Sequence, residues 1–328
     1  PAALEIKAGA KVNIDKILLM YGGTVEVADG VTFSTSQSTD PERSSETLVN
    51  ISAANNAAFQ MNTKTHSDGK MDVTDSVMNF TAGKQNTLNF HGTVDTLTNN
   101  VPGVIRLTGG SVNLDHAQAK LGAKSDFYGL ALNQYQDQAA VTATTDNSLT
   151  ADQLAVTGKG ADVEFAGGKV QVTNSSITSA AEKNSYDGHS PIIAMAAGNS
   201  FAKSDPSEID PLQGTKENAI TVTGSTITNS QYGEIHFNGG TTTLQNVTAS
   251  ADFIEAGATQ GITPIQGGTA TPENAIQIKG STLTADNIWL LGGKIAATDS
   301  SVLEATGSKG ILAVAGNKLI QTKTAAGS

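Results

Sequence analysis

Apolar and polar residues alternate with a period of two along most of this chain, in short runs broken by Gly, Asn, Asp and Ser. The clearest run follows a Gly-Gly pair and recurs five times, beginning at Gly22, Gly109, Gly167, Gly239 and Gly292. The first copy reads Gly22-Gly23-Thr24-Val25-Glu26-Val27-Ala28-Asp29 and the last Gly292-Gly293-Lys294-Ile295-Ala296-Ala297-Thr298-Asp299. A period of two places alternate side chains on opposite faces, so each run predicts a strand with one buried face. The Gly pair and the closing Asp, His or Asn predict turns at its two ends.

A longer repeat agrees with the short one. Thr215 to Thr228 matches Thr271 to Thr284 at nine of fourteen positions. Its apolar alternation crosses a Gly-Ser corner, Gly224-Ser225 and Gly280-Ser281, without losing phase. That predicts strand, sharp bend, strand. Repeated units of this kind stack so that each buries its apolar face on the next. The expected fold is all-β: a single right-handed parallel β-helix, a solenoid with loop insertions, spanning residues 1–328. Insertions are expected near 34–46, 181–191, 200–217 and 256–273, where Pro, Gly and charge gather. Met71 to Phe80 reads as a further strand–corner–strand unit, and 120–140 as a loop excursion or short helix. Coils of about 20–24 residues would number roughly a dozen and build a rod of about 55–65 Å.

Composition adds limits. Aromatic residues make up only 5% of the chain, and Gly, Ser, Thr, Asn and Ala are abundant, which suits a narrow interior where large rings do not fit. The formal charge is −11, with no basic patch interleaved with aromatics, which argues against a nucleic-acid partner. There is no cysteine, as expected of a cytosolic protein or of one crossing an outer membrane extended. No 18-residue apolar run exists, so no membrane insertion by this segment is expected.

The Gly-Gly units, the Asn/Asp/Ser corners, the missing cysteines and the acidic, Thr-rich composition together resemble the passenger domains of Gram-negative autotransporter adhesins. The nearest likeness is to the AIDA-type, self-associating and uropathogenic group; two-partner-secretion exoproteins share the style. The resemblance implies a right-handed three-faced β-helix, export to the bacterial cell surface, and adhesion to host matrix or to sister cells.

Candidate chemistry is sparse. No nucleophile elbow, protease motif or His-Glu-x-x-His metal spacing occurs. No catalytic residue, cofactor or metal is expected, although Asp205-Pro206-Ser207-Glu208-Ile209-Asp210 offers oxygens of the kind Ca²⁺ takes. Asp205, Glu208 and Asp210 are candidate loop contacts. The closing residues Asp29, His116, Asn174, Asn246 and Asp299 would form a polar ladder if the five units stack in register. Such a ladder serves either corner hydrogen bonding or a ligand, an extended glycan or a neighbouring rod. The expected function is non-enzymatic cell-surface adhesion, cell–cell aggregation and biofilm formation. Partners would be a host extracellular-matrix protein such as fibronectin, a glycosaminoglycan, or a second passenger. The alternative is a polysaccharide-degrading β-helix enzyme or a tailspike-like protein.

Overall fold

In a computed structural model the chain is all-β. The structure describes residues 2–35, 47–65, 67–69, 71–96, 103–123, 125–136, 141–180, 190–205, 208–229, 232–261, 268–316 and 318–319. The described residues wind a parallel β-helix. Its first wall is a ten-stranded parallel sheet, one strand per coil. These strands are Ala3–Ile6, Thr24–Val27, Thr87–Phe90, Ser111–Asp115, Ser148–Asp152, Lys169–Thr173, Ala219–Thr223, Thr241–Gln245, Ala275–Lys279 and Lys294–Thr298, and they number the coils 1 to 10. An eighteen-stranded parallel sheet bends to supply the other two walls. In coil 4, for example, Gln118–Ala123 lies in the second wall and Asp126–Ala131 in the third. The nine steps between ten coils make a rod of about 43 Å. That is shorter than the sequence suggested, because many residues lie outside the coils.

Those residues form a second sheet. Asn56–Thr65 and Met71–Thr81 pair as an antiparallel hairpin, as do Gln134–Gln136 with Val141–Thr142 and Ser200–Asp205 with Glu208–Gln213. The three hairpins join edge to edge into one six-stranded sheet. Beyond it Gly268–Thr269 pairs with Lys318–Leu319. Met71 to Phe80 is therefore one hairpin strand rather than a coil unit, and 120–140 holds strands rather than a helix. Both kinds of strand alternate with a period of two, so the apolar pattern alone does not separate them. Of the expected insertions, 200–217 is a hairpin around residues 206–207, which lie outside the described residues, as do 36–46, 181–189 and 262–267.

Every hairpin leaves at the corner from third to first wall, and only after an even-numbered coil. The last third-wall residue alternates accordingly: Gly22, Ala53, Gly109, Ala131, Gly167, Ala197, Gly239, Ala258, Gly292, Ala315. Where Gly stands, the Gly-Gly pair turns the chain directly into the next coil. Where Ala stands, a hairpin departs after coils 2, 4 and 6, the excursion holding Gly268–Thr269 after coil 8 and the strand Lys318–Leu319 after coil 10. In the four later pairs the second Gly lies beneath the returning leg of the preceding excursion. A Cβ on Gly110, Gly168, Gly240 or Gly293 would sit 1.6–1.7 Å from the carbonyl oxygen of Gly83, Thr144, Thr215 or Thr271 respectively. The repeat is thus two coils plus one lateral excursion.

A four-residue turn locks each return. Asn86, Asn147, Asn218 and Asn274 are all within 1% of full burial. Each accepts through Oδ1 the backbone N–H of the residue three before it and donates through Nδ2 to a carbonyl of a Gly-Gly pair: Gly23, Gly110, Gly168 and Gly240. Buried amides survive because both ends are satisfied.

The interior is a column of stacked aliphatics with five fully buried phenylalanines, Phe33, Phe90, Phe127, Phe165 and Phe237. Large rings do fit, because small residues face them. A Cβ on Gly129 would come within 3.0 Å of the Phe165 ring and 2.8 Å of Leu149, and Phe237 pairs with Ala256. A second apolar cluster lies between the hairpins and the third wall. Phe80, Tyr135, Val141 and Phe201 from the hairpins cover Val104, Tyr128, Leu130, Ala166 and Ala196. Phe80 and Tyr135 stack at 5.7 Å.

Candidate interaction surfaces

The expected polar ladder is a corner in the left-handed backbone region. His116, Asn174, Asn246 and Asp299 have φ of 53°, 49°, 52° and 58°. Gln153, Gly224 and Gly280 occupy the same place in the intervening coils with φ of 50°, 59° and 55°. Short polar residues and glycine tolerate this region best. Each N–H reaches the next coil: His116 donates to the Asp152 carbonyl at 2.9 Å, Gln153 to Thr173 at 3.0 Å, Asn174 to Thr223 at 2.9 Å and Asn246 to Lys279 at 2.9 Å. The Asn174 and Asn246 carboxamides lie over the glycines of the following coil, since a Cβ there would meet their Oδ1 at 2.8 and 2.6 Å. Asp29 stands apart: it sits in an exposed turn whose positive-φ residue is Gly30, at 77°. Asp205, Glu208 and Asp210 occupy the two strands of the third hairpin.

Behind the ladder runs a serine seam. Ser175, Ser225 and Ser281 are buried. Each accepts through Oγ a backbone N–H, from Leu154, Ser175 and Val247, at 3.0–3.1 Å. The Gly-Ser corner legible in sequence is this arrangement, and Gln153 escapes the reading because no Gly-Gly pair precedes its strand.

On the first wall, polar groups bond along the rod. Asn89 Nδ2 donates to Glu26 at 2.9 Å and Asn113 Nδ2 to Asn89 at 2.7 Å. His91 lies 3.4 Å from both Glu26 and Asp115, and His116 lies 2.7 Å from Asp115. Among the described residues no group of three or more His, Asp or Glu is placed to hold a metal ion. The second wall of coils 6 to 9 presents an uncharged hydroxyl grid: Ser176 and Thr178, Thr226 and Thr228, Thr248 and Ser250, Thr282 and Thr284 stand in register.

The third wall carries the densest chemistry on its outward face, which the sequence reading did not single out. Near the middle hairpins, Arg106 lies 5.8 Å from the Tyr128 ring. Burial, then the carboxylates of Asp126, Glu164 and Asp162, push the Tyr128 phenol far above its ordinary range, against the opposing pull of Arg106. In coils 7 to 9, His236 bonds Glu234 at 2.8 Å, and Asn238 Nδ2 donates to the fully buried Glu255 at 2.9 Å. The His236, Phe253 and Trp289 rings meet edge to face at 5.7 and 5.2 Å. Polar residues at alternate positions of apolar strands, as in Ile235-His236-Phe237-Asn238, were the available signal.

No family model matches the chain. No curated protein and no solved structure matches it significantly.

Proposed function

We propose that the chain is an exported, non-enzymatic adhesin of the bacterial cell surface, a passenger-type solenoid that attaches to a host matrix protein or to sister rods and promotes aggregation and biofilm formation. The observation that carries this reading is the rod itself, with its long, regular, hydrogen-bonding faces. Contacts spaced at one coil, about 4.8 Å, are individually weak and add along the length. The uncharged hydroxyl grid on the second wall suits a neighbouring rod, since it opposes no like charges. The hairpin wall suits a protein such as fibronectin. Glycosaminoglycans are anionic and are opposed by the net charge of −11. The likeness to autotransporter passengers supports export in the same terms.

Sedimentation of the protein over a range of concentrations, alone and with fibronectin or heparin, tests this reading. Concentration-dependent assembly or a shift with fibronectin supports it; a single unchanging species in every mixture overturns it. One observation favours the enzymatic alternative: Glu234 and Glu255 stand with His236 beside Phe253 and Trp289. Release of reducing ends from neutral or acidic polysaccharides above a heat-inactivated control would establish that reading instead.

A further inference from the structure

We propose that the free edge of the hairpin sheet, residues 56–62, is a docking strand that pairs antiparallel with the same strand of a second copy of this chain. The two hairpin sheets then run on as one across a twofold axis. The inference goes beyond the adhesion reading, which seats a neighbouring rod on the second wall.

A sheet has two edges, and here they differ. The strand order places Glu208–Gln213 at one edge and Asn56–Thr65 at the other, each paired on one side only. Unpaired backbone N–H and C=O groups along an edge recruit another strand unless something blocks them. The Glu208–Gln213 edge is blocked. Pro211 has no N–H to give, and Glu208 and Asp210 bring like charges to any twofold pairing. Asn56–Thr65 has no such guard over its first seven residues. These read Asn-Ala-Ala-Phe-Gln-Met-Asn, with no charge, proline or glycine. They pair with the strand Met71–Thr81 without a break, and the register shifts only after Asn62. Lys64, the one charged residue of the strand, lies beyond that shift.

The hairpins already assemble in this way. Gln134–Gln136 joins Met71–Thr81, and Val141–Thr142 joins Ser200–Asp205, edge to edge and antiparallel. A strand added at residues 56–62 continues that interface by one step. The unblocked hairpin edge that a second copy offers is its own Asn56–Thr65. Antiparallel pairing of a strand with itself is what a twofold axis produces. Centred on Phe59, the pairing sets Asn56 opposite Asn62 and no charge opposite another. The strand is also held from beneath, since Ala57 and Phe59 pack on the third-wall cluster. It is therefore presented already extended and loses little freedom on docking. Seven paired residues bury less than a standard interface, so the contact is weak and strengthens when rods are crowded on a surface.

The chain has no cysteine, so a single introduced one reports the contact. Ala58 is exposed, and in this pairing its two copies stand about 8 Å apart. A nitroxide on Ala58→Cys should give a label-to-label distance of about 20 Å or less. One on Ser176→Cys, four coils away on the second wall, should give none that short. Sedimentation over a range of concentrations should show monomer passing to dimer. Ala58→Lys and Ala58→Glu, each with unchanged circular dichroism, should each weaken dimerisation by about fivefold, and mixing the two should restore it. A monomer at every concentration, a dimer that Ala58→Lys leaves untouched, or a short distance from Ser176→Cys in place of Ala58→Cys would each overturn the assignment. The last result would leave the adhesion reading standing, with rods meeting through the second wall. A dimer through Ala58 that takes up no fibronectin and assembles no further would do the reverse.

Discussion

The second glycine of the four later pairs has no room for a Cβ. Gly168 shows why: the Thr144 carbonyl oxygen would lie 1.6 Å from that atom and belongs to backbone, which does not swing aside. Gly168→Ala should therefore cost at least about 3 kcal/mol in urea unfolding or prevent folding. Gly224→Ala meets only the Asn174 carboxamide, at 2.8 Å, with φ at 59°, and should cost about 1–2 kcal/mol. The reverse order would refute the account of the pair. Asn218 makes the complementary test. Its Oδ1 accepts the Thr215 N–H at 2.8 Å and its Nδ2 donates to Gly168 at 2.9 Å. Asn218→Ala should lose about 1–3 kcal/mol. Tyr128 links a residue to pH. Its native phenol resists ionisation, so the folded state is favoured below the unfolded phenol's value of about 10 and loses that advantage as pH rises through it. Tyr128→Phe should flatten the alkaline limb of the stability profile.

Strands in this protein are of two kinds that look alike one at a time. A coil strand pairs parallel with neighbours one coil before and after; a hairpin strand pairs antiparallel and packs only one face. Phe201 belongs to the second kind and is 5% exposed against the third wall. Phe201→Ala should destabilise by about 3 kcal/mol. Hydrogen exchange should locate the loss: protection falls in the hairpin strands and stays high in Lys169–Thr173 and Ala219–Thr223 of the first wall. Uniform loss across both would show that the hairpin sheet and the coils unfold as one unit.

At the scale of the whole molecule, stability is a sum over neighbouring coils. Coil 10 has one such neighbour among the described residues, and Val302, Ile311 and Leu312 are 47%, 47% and 43% exposed there. Trp289 stands in coil 9. Its fluorescence should therefore change at a lower denaturant concentration than far-UV circular dichroism, which averages all coils. Coincident transitions would mean that the rod unfolds in one step.

The period of two, the five Gly-Gly pairs and the Gly-Ser corners were enough to determine strands, sharp bends and a stacked column, because they are local: each follows from which face is buried and which φ a residue accepts. The ladder through His116, Asn174, Asn246 and Asp299 was legible for the same reason, whereas Gln153 joins it only through register. Tertiary structure alone decided that Asn56–Thr65 and Met71–Thr81 leave the coils and that excursions come after every second one. It also decided that Glu255 and Trp289, 34 positions apart in sequence, meet on one wall. Alternation records burial without saying which strand provides it, and parallel pairing brings together residues whose separation depends on how much chain lies between coils.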